Sequence, residues 1–522
     1  MRFKKGGTGM LTRMKTASLQ GVNGYPVTVE TDLHRGMPGF QIVGLADTTI
    51  KEAFSRIRPA IINSGYRFPR EKVTVNLSPA GKPKEGSHFD LPIALGILLL
   101  TLGEEAQIED TAFFGELSLD GKINPIRGAL PLALCARKAG VHNIVLPLQN
   151  CEEAAVLEDV NIIPVSDLTQ AICCVKDPQT AAPYKKKKPV EEAHSDLDFS
   201  EVIGQEHGKR ALMIAAAGDH GILMMGGPGC GKTMMARRIP SILPRLSYEE
   251  QLELTGIYSV AGMLPEDEPV ITSRPFRSPH HSISMAGLIG GGQKPRPGEL
   301  SLAHRGVLFL DELGEFEGRA IDAMRQTVED GFIRLNRNLE EIIFPSEVMI
   351  VAAANPCKCG NLWDEKKTCT CSSAQISSHM RKLTGPFADR IDMHVRVAQV
   401  AGKDLKEREQ KNKGMTSAQM REKVVEARRI QEERYRGMPH RENGWLEESE
   451  IIRYCLPDQG GQELLRQAYE KMGLTMRAYW KICKIARTIA DLAGEEKVRE
   501  EHILEALGYR PPERGEWLKE VY

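Results

Sequence analysis

Between residue 14 and about 175, short β-rich runs ("YPVTVETDL", "FQIVGL", "KVTVNLSP", "TAFFGELSL", "NIVLP", "NIIPV") alternate with helical patterns ("TTIKEAFSRIRPAIINSG", "ALPLALCARKAG"). That order predicts an α/β or α+β domain. The longest apolar run, "LPIALGILLLTLG" at 91–103, is shorter than the roughly 20 residues that span a bilayer. It reads as a core helix. From about 198 to 400 a second α/β block contains three apolar strands, "ILMM", "VLFL" and "VMIVAAA". Beyond about 401, "MTSAQMREKVVEARRIQEERYRG" and "TMRAYWKICKIARTIADLAG" place apolar residues at three-to-four spacing beside dense charge. A helical C-terminal domain is expected there.

The stretch "DPQTAAPYKKKKPVEEAHSD" at 177–196 carries three prolines, a four-lysine run and no apolar periodicity. It reads as a linker, and its lysines as solvated charge or as a DNA contact. The expected division is a domain over 1–180, a linker over 181–197, a second domain over 198–400 and a third over 401–522.

Composition narrows the class. The 522 residues exceed one ordinary core, and 41% hydrophobic with 27% charged residues fits neither a disordered nor a membrane protein. Formal net charge is −1, so any nucleic-acid binding must come from local basic patches. The basic start "MRFKKGGTGMLTRMK" lacks the apolar stretch of a secretory signal, and an odd count of eleven cysteines does not suit a secreted disulfide framework. A cytoplasmic location is expected, with no membrane partner.

The first apolar strand leads into Gly226-Gly227-Pro228-Gly229-Cys230-Gly231-Lys232-Thr233 and then a helical run. Glycines let successive backbone N–H groups cradle phosphate oxygens at a helix N-terminus, where the helix dipole adds to the attraction. Lys232 would reach the β and γ phosphates, and Thr233 would ligate Mg²⁺. The second strand ends in Asp311-Glu312, placed for Asp311 to hold the magnesium shell and Glu312 to orient the attacking water. The reaction class is hydrolysis of a nucleoside triphosphate, with ATP the expected ligand. The third strand ends at Asn355, read either as a γ-phosphate sensor or as an ordinary Asn-Pro turn.

Immediately after Asn355 come Cys357, Cys359, Cys369 and Cys371, two Cys-x-Cys pairs around a nine-residue spacer. Four thiolates suit a tetrahedral structural Zn²⁺; the alternative is a pair of disulfides, disfavoured in a reducing cytosol.

The stretches "DFSEVIGQEHGKRALMIAAAGDHGILMMGGPGCGKT", "RPFRSPHHSIS", "GGQKPRPGELSLAHRGVLFLDEL", "AAANPCKCG" and "GPFADRIDMHV" resemble the YifB/ComM type of magnesium-chelatase-like AAA+ ATPases. So do "MPGFQIVGLADTTIKEAFSRIRPAI" and "NLSPAGKPKEGSHFDLPIAL", and the resemblance covers residues 10 to 510. Residues 1–9 would then be an extension or a misassigned start. The implied fold is an AAA+ P-loop NTPase core with an N-terminal Lon-protease-like (ribosomal S5 domain 2-like) α+β domain and a C-terminal helical domain. The implied assembly is a homohexameric ring.

Within it, Arg390 looks like an arginine finger and Arg477 like the second sensor. The segment 271–306 resembles a helix-2 insertion and "FIRLNRNLEEIIFPS" a hairpin before the first sensor, both facing a pore. Arg334, Arg337, Lys294 and Arg296 are the candidates for sequence-independent contacts to DNA phosphates, with mobile solvated loops as the competing reading. In the Lon-like domain His88 falls at the protease's serine position and Leu130 at its lysine position, so a non-proteolytic scaffold is expected.

The function this implies is a DNA motor promoting branch migration during natural transformation. The alternative is a chelatase-like ATPase that remodels a protein partner.

Overall fold

A computed structural model describes residues 9–103, 108–176, 182–185, 197–265, 268–292, 295–337, 340–364, 367–383, 385–399 and 414–510. Lys294 and most of the expected linker lie outside the described residues, as does the side chain of Arg337.

The N-terminal part is built on seven strands: β1 (Gly9–Gln20), β2 (Asn23–His34), β3 (Gly39–Val43), β4 (Lys72–Ser78), β5 (Thr111–Phe113), β6 (Asn143–Pro147) and β7 (Asn161–Val165). Their order is β3-β4-β2-β1-β5-β6-β7. β1, β2 and β4 pair antiparallel, and the remaining neighbours run parallel. Alternation sends Val27, Val29 and Leu33 of β2, and Val73, Val75 and Leu77 of β4, into one core. The apolar run expected to be a core helix is α2 (Asp90–Leu102), which follows α1 (Ala53–Asn63) and is buried almost throughout. At its start Asp90, 1% exposed, takes a bidentate pair from Arg56 of α1 at 2.6 and 2.9 Å.

The central part is a five-stranded, wholly parallel sheet of β8 (Ile222–Met225), β9 (Phe276–Arg277), β10 (Val307–Leu310), β13 (Met349–Ala354) and β14 (Met393–Arg396), in the order β9-β10-β13-β8-β14. β8, β10 and β13 are buried at every position, as strands covered on both faces must be. β11 (Phe332–Arg337) and β12 (Glu340–Pro345) form the separate antiparallel hairpin expected before β13.

Four longer C-terminal helices, α9 (Ser417–Arg434), α10 (Gln459–Lys471), α11 (Met476–Leu492) and α12 (Glu500–Leu507), share one hydrophobic cluster with the central sheet and with α4 (Glu206–Gly218). They are packed on the core.

The N-terminal part docks on α6 (Tyr248–Ala261) of the central part through α3 (Ala129–Lys138) and the segment after β6. Tyr248 donates to the Val156 carbonyl at 2.8 Å, and Ser259 donates to the buried Glu153 at 2.5 Å. Burial raises the Glu153 carboxyl above its usual range, against the hydrogen bonds from Ser259 and Asn150. Tyr184, inside the stretch read as linker, is held to the N-terminal part by its N–H to Ile162 at 2.7 Å and its hydroxyl to Glu152 at 2.6 Å. No helix among the described residues is long and apolar enough to cross a membrane.

Candidate functional site

β8 ends at Met225, and the loop 226–231 turns into α5 (Lys232–Ala236). Gly229 and Gly231 take left-handed φ values of 75° and 95°, which L side chains rarely adopt. A Cβ at either would meet nothing within 4 Å, so the cradle is open on that side. Gly226 is needed for another reason: a Cβ there would lie 2.3 Å from the Val397 carbonyl oxygen. Gln205 donates to the carbonyls of Cys230 at 3.2 Å and Ala398 at 2.6 Å, bracing the loop against the segment after β14. No pattern in the chain pointed to Gln205.

The expected phosphate-site residues converge. Lys232 Nζ donates to the carbonyls of Gly226 at 2.7 Å and Gly227 at 2.9 Å, and to Asn355 Oδ1 at 3.2 Å. Thr233 Oγ1 donates to Asp311 Oδ2 at 3.0 Å. An octahedral Mg²⁺ places neighbouring ligand oxygens about 2.9 Å apart, so this pair fits its shell. Glu312 sits at φ 54°, an uncommon region for a residue with a side chain. Its carboxylate is half-exposed, with His281 Nδ1 at 3.6 Å. His281 brings the 271–306 segment to the acid pair, a contact the "SPHHS" run did not disclose.

The four cysteines gather as well. Three sulfur pairs lie at 3.4, 3.5 and 3.7 Å, and ligand atoms of all four lie within 4.8 Å of one another, with no disulfide formed. Tetrahedral Zn²⁺ with bonds near 2.3 Å sets its sulfurs about 3.8 Å apart, so the donor set fits the metal. Burial works against charge at Cys359, yet the Asn361 and Thr370 N–H groups and the neighbouring thiols bring it down to about 5. Burial and the Cys359 and Cys369 thiols push Cys357 up to about 12.

The knuckle lies against the phosphate loop, an adjacency beyond the reach of the linear spacing. A side chain at Gly360 would collide with the Pro228 ring at 2.7 Å, and one at Gly227 would touch the Gly360 carbonyl at 3.4 Å. Arg396 stacks on Trp363 at 4.9 Å, and Gln399 donates to Asp364 at 2.8 Å, fastening the knuckle to the end of β14. His379 of α8 (Ser373–Leu383) donates to the Asn355 carbonyl at 2.9 Å.

Arg390 and Arg477 are brought together, away from the phosphate loop. They line a cavity with Gly221, Val348 and Asp392, the residues just before β8, β13 and β14. The loop lies beyond the opposite ends of those strands, about 13 Å away along four residues of β8. Both arginines thus lie at the strand ends opposite the loop 226–231.

Arg334 pairs with Glu341 at 2.9 Å across the hairpin and lies 5.3 Å from the Phe332 ring centroid. Arg337 stands opposite Glu340 in register, and Arg296 is exposed at the edge of a cavity shared with the N-terminal part. The hairpin itself touches that part, where Gln20 Nε2 donates to the Glu341 carbonyl at 3.5 Å.

In the N-terminal part His88 is buried, with Nε2 2.9 Å from the Ala17 carbonyl, and burial lowers its pKa to about 4. Leu130 is fully buried, and the Ser87 hydroxyl donates to Glu116. The buried Lys84 donates to the carbonyls of Gly44 and Pro79.

Three family descriptions match in series: "Subunit ChlI of Mg-chelatase" over residues 29–150, "Magnesium chelatase, subunit ChlI" over 198–405, and its C-terminal part over 414–510. The chain is 41% identical over 498 residues to Competence protein ComM of Haemophilus influenzae, covering 94% of this chain and 95% of that protein. It is 39% identical to YifB of Escherichia coli and 38% identical to YifB of Salmonella typhimurium, each over 507 residues, covering 97% of this chain and 98% of the relative.

Proposed function

The chain belongs to the YifB/ComM family of magnesium-chelatase-like AAA+ ATPases, and on that premise we propose that it is an ATP-driven DNA motor working as a homohexamer. The observation that carries this reading is the placement of two residue groups at opposite ends of the central sheet's strands. Lys232 with Asn355 and Thr233 with Asp311 are hydrogen-bonded pairs at one end, with Glu312 beside them, while Arg390 and Arg477 sit at the other. A ring would close such a site by setting one protomer's arginines against its neighbour's nucleotide.

In that arrangement the loop 226–233 binds the triphosphate. Lys232 holds the β and γ phosphates, Glu312 orients the water, and Asn355 senses whether the γ-phosphate is present. Thr233 and Asp311 would hold Mg²⁺, which neutralises charge developing on the phosphates. Arg390 and Arg477 stabilise that charge from the neighbouring protomer. Cys357, Cys359, Cys369 and Cys371 would hold a structural Zn²⁺ that fixes the knuckle against Pro228.

Strokes of the hairpin and the 271–306 segment would move DNA through contacts of Arg334, Arg337, Lys294 and Arg296 with its phosphates. Such contacts read no sequence and weaken with salt. The N-terminal part, with Ser87 on a carboxylate and a leucine at the lysine position, would serve as a platform. We take branch migration during natural transformation as its task, and the relative named a competence protein supports a competence-related role.

A second reading, remodelling of a protein partner, draws on the chelatase-subunit matches. Purified protein with ATP and branched, linear or no DNA separates the two. DNA-stimulated hydrolysis and branch migration are expected; hydrolysis indifferent to every DNA form would favour the protein partner.

A further inference from the structure

Glu329, near the end of α7 (Gly318–Asp330), is contacted by both Arg390 and Arg477. Arg390 Nε lies 3.1 Å from Glu329 Oε1, and the Arg477 guanidinium meets the same oxygen. The two arginines come from separate elements, the turn before β14 and the first turn of α11. One carboxylate therefore fixes the spacing of two groups that the chain itself leaves far apart.

Guanidinium N–H groups near this carboxylate are left unmet among the described residues, although Asp389 also faces Arg390. Arg325, one turn earlier on α7, has Asp322 as a partner at 3.3 Å, while its buried Nε–H has no acceptor among the described residues. The Arg390 Nε–H, although close to Glu329, also lacks an aligned acceptor. Burial lowers the pKa of Arg390 and of Arg477, and the Arg325 charge lowers both further. Lys481, at the same cavity, is matched by Asp392 at 3.4 Å. That leaves two guanidiniums on the Glu329 carboxylate and a third, Arg325 with Asp322, one turn away on α7, two of the three with a buried N–H unmet, beside a cavity of about 300 Å³.

A surplus of forked N–H donors around a single carboxylate suits a more highly charged oxyanion. We propose that Glu329 is a placeholder for the γ-phosphate of a nucleotide bound to the adjacent copy of this chain, and that Arg325 is a third cation of that shared site. This rests on the ring reading above. Glu329 is a positioning residue: it keeps Arg390 and Arg477 together until the triphosphate arrives, and it competes with that triphosphate. Assembly then answers to a full phosphate charge, because a weaker anion does not displace the carboxylate.

The test follows assembly by mass photometry across titrations of ATP and of ADP, with Glu329→Gln and Arg325→Gln. Glu329→Gln should assemble at an ATP concentration about five-fold lower than the wild type, as loss of one partly exposed competing ion pair implies. The ATP-over-ADP preference of assembly should narrow with it. Arg325→Gln should need more ATP to assemble, while a fluorescent ATP analogue binds dilute protomers as in the wild type.

A Glu329→Gln protein that assembles at the wild-type ATP concentration with unchanged ATP-over-ADP preference overturns the proposal. So does one that needs more ATP, the result of a merely structural ion pair. If Glu329→Gln does not fold, Arg325→Gln decides, and wild-type assembly by it overturns the proposal. Failure of the wild type to assemble with ATP overturns the ring reading instead.

Discussion

The Lys232 ammonium donates to the Asn355 side-chain oxygen at 3.2 Å, joining the phosphate loop to the end of the neighbouring strand β13. In the proposed site these two side chains would grip the same phosphate group. Asn355→Ala should therefore leave ATP binding within a few-fold of wild type and reduce the maximal hydrolysis rate by about 10²-fold, the scale of one lost oxyanion donor. Steady-state kinetics beside equilibrium binding of a fluorescent analogue separates the two effects. An unchanged rate would return Asn355 to the role of a turn residue.

The cysteine knuckle touches the phosphate loop at Pro228, so metal removal should be felt in nucleotide binding. The purified protein is expected to contain one Zn²⁺ per chain. Replacing Cys357, Cys359, Cys369 and Cys371 by serine should weaken ATP binding by about ten-fold, in line with losses seen when a metal site's support is removed. Elemental analysis and a binding titration check both parts, and wild-type affinity in the four-serine protein would contradict the coupling.

If the hairpin meets DNA phosphates, Arg334→Ala should weaken binding equally across sequences and lower the slope of log affinity against log salt by about one. Binding isotherms at several salt concentrations measure this. Because Arg334 is paired with Glu341 at 2.9 Å, Glu341→Gln should act in the opposite direction and strengthen binding.

Burial pushes the Asp90 carboxyl up to about 6 from 3.8, although the Arg56 guanidinium pulls it down. The folded state thus holds the proton more tightly than the unfolded chain, so the carboxyl's stabilising contribution is full at low pH and is lost as pH rises through about 6. Arg56→Ala removes the only counter-charge in direct contact among the described residues and should cost about 3 kcal/mol at pH 8 and less at pH 5, because protonation relieves the stranded charge. Thermal unfolding of the full-length protein at the two pH values tests the sign.

The elements legible in the chain were those whose chemistry is local. The glycine-rich loop after β8, the acid pair after β10 and the apolar parallel strands stand where the pattern of residues put them, since glycine turns and unbroken apolar runs are written in consecutive residues, and the hairpin stands where the family resemblance put it. β1 escaped notice because its inward positions include Thr12, Thr16 and Ser18, which blur the apolar alternation of a central strand. Long-range meetings were also hidden. Gly360 against Pro228, His281 beside Glu312, and Arg390 with Arg477 on Glu329 are set by how layers stack, and no periodicity encodes them.

The central claim is a nucleotide site completed by a second protomer. Mixing Lys232→Ala with Arg390→Ala protein tests it most directly, since each alone lacks one half of every site. In mixed rings the intact loop of an Arg390→Ala protomer meets the intact arginine of a Lys232→Ala neighbour, so ATP hydrolysis should return to a substantial fraction of wild type. Two inactive proteins that stay inactive when assembled together would contradict the account.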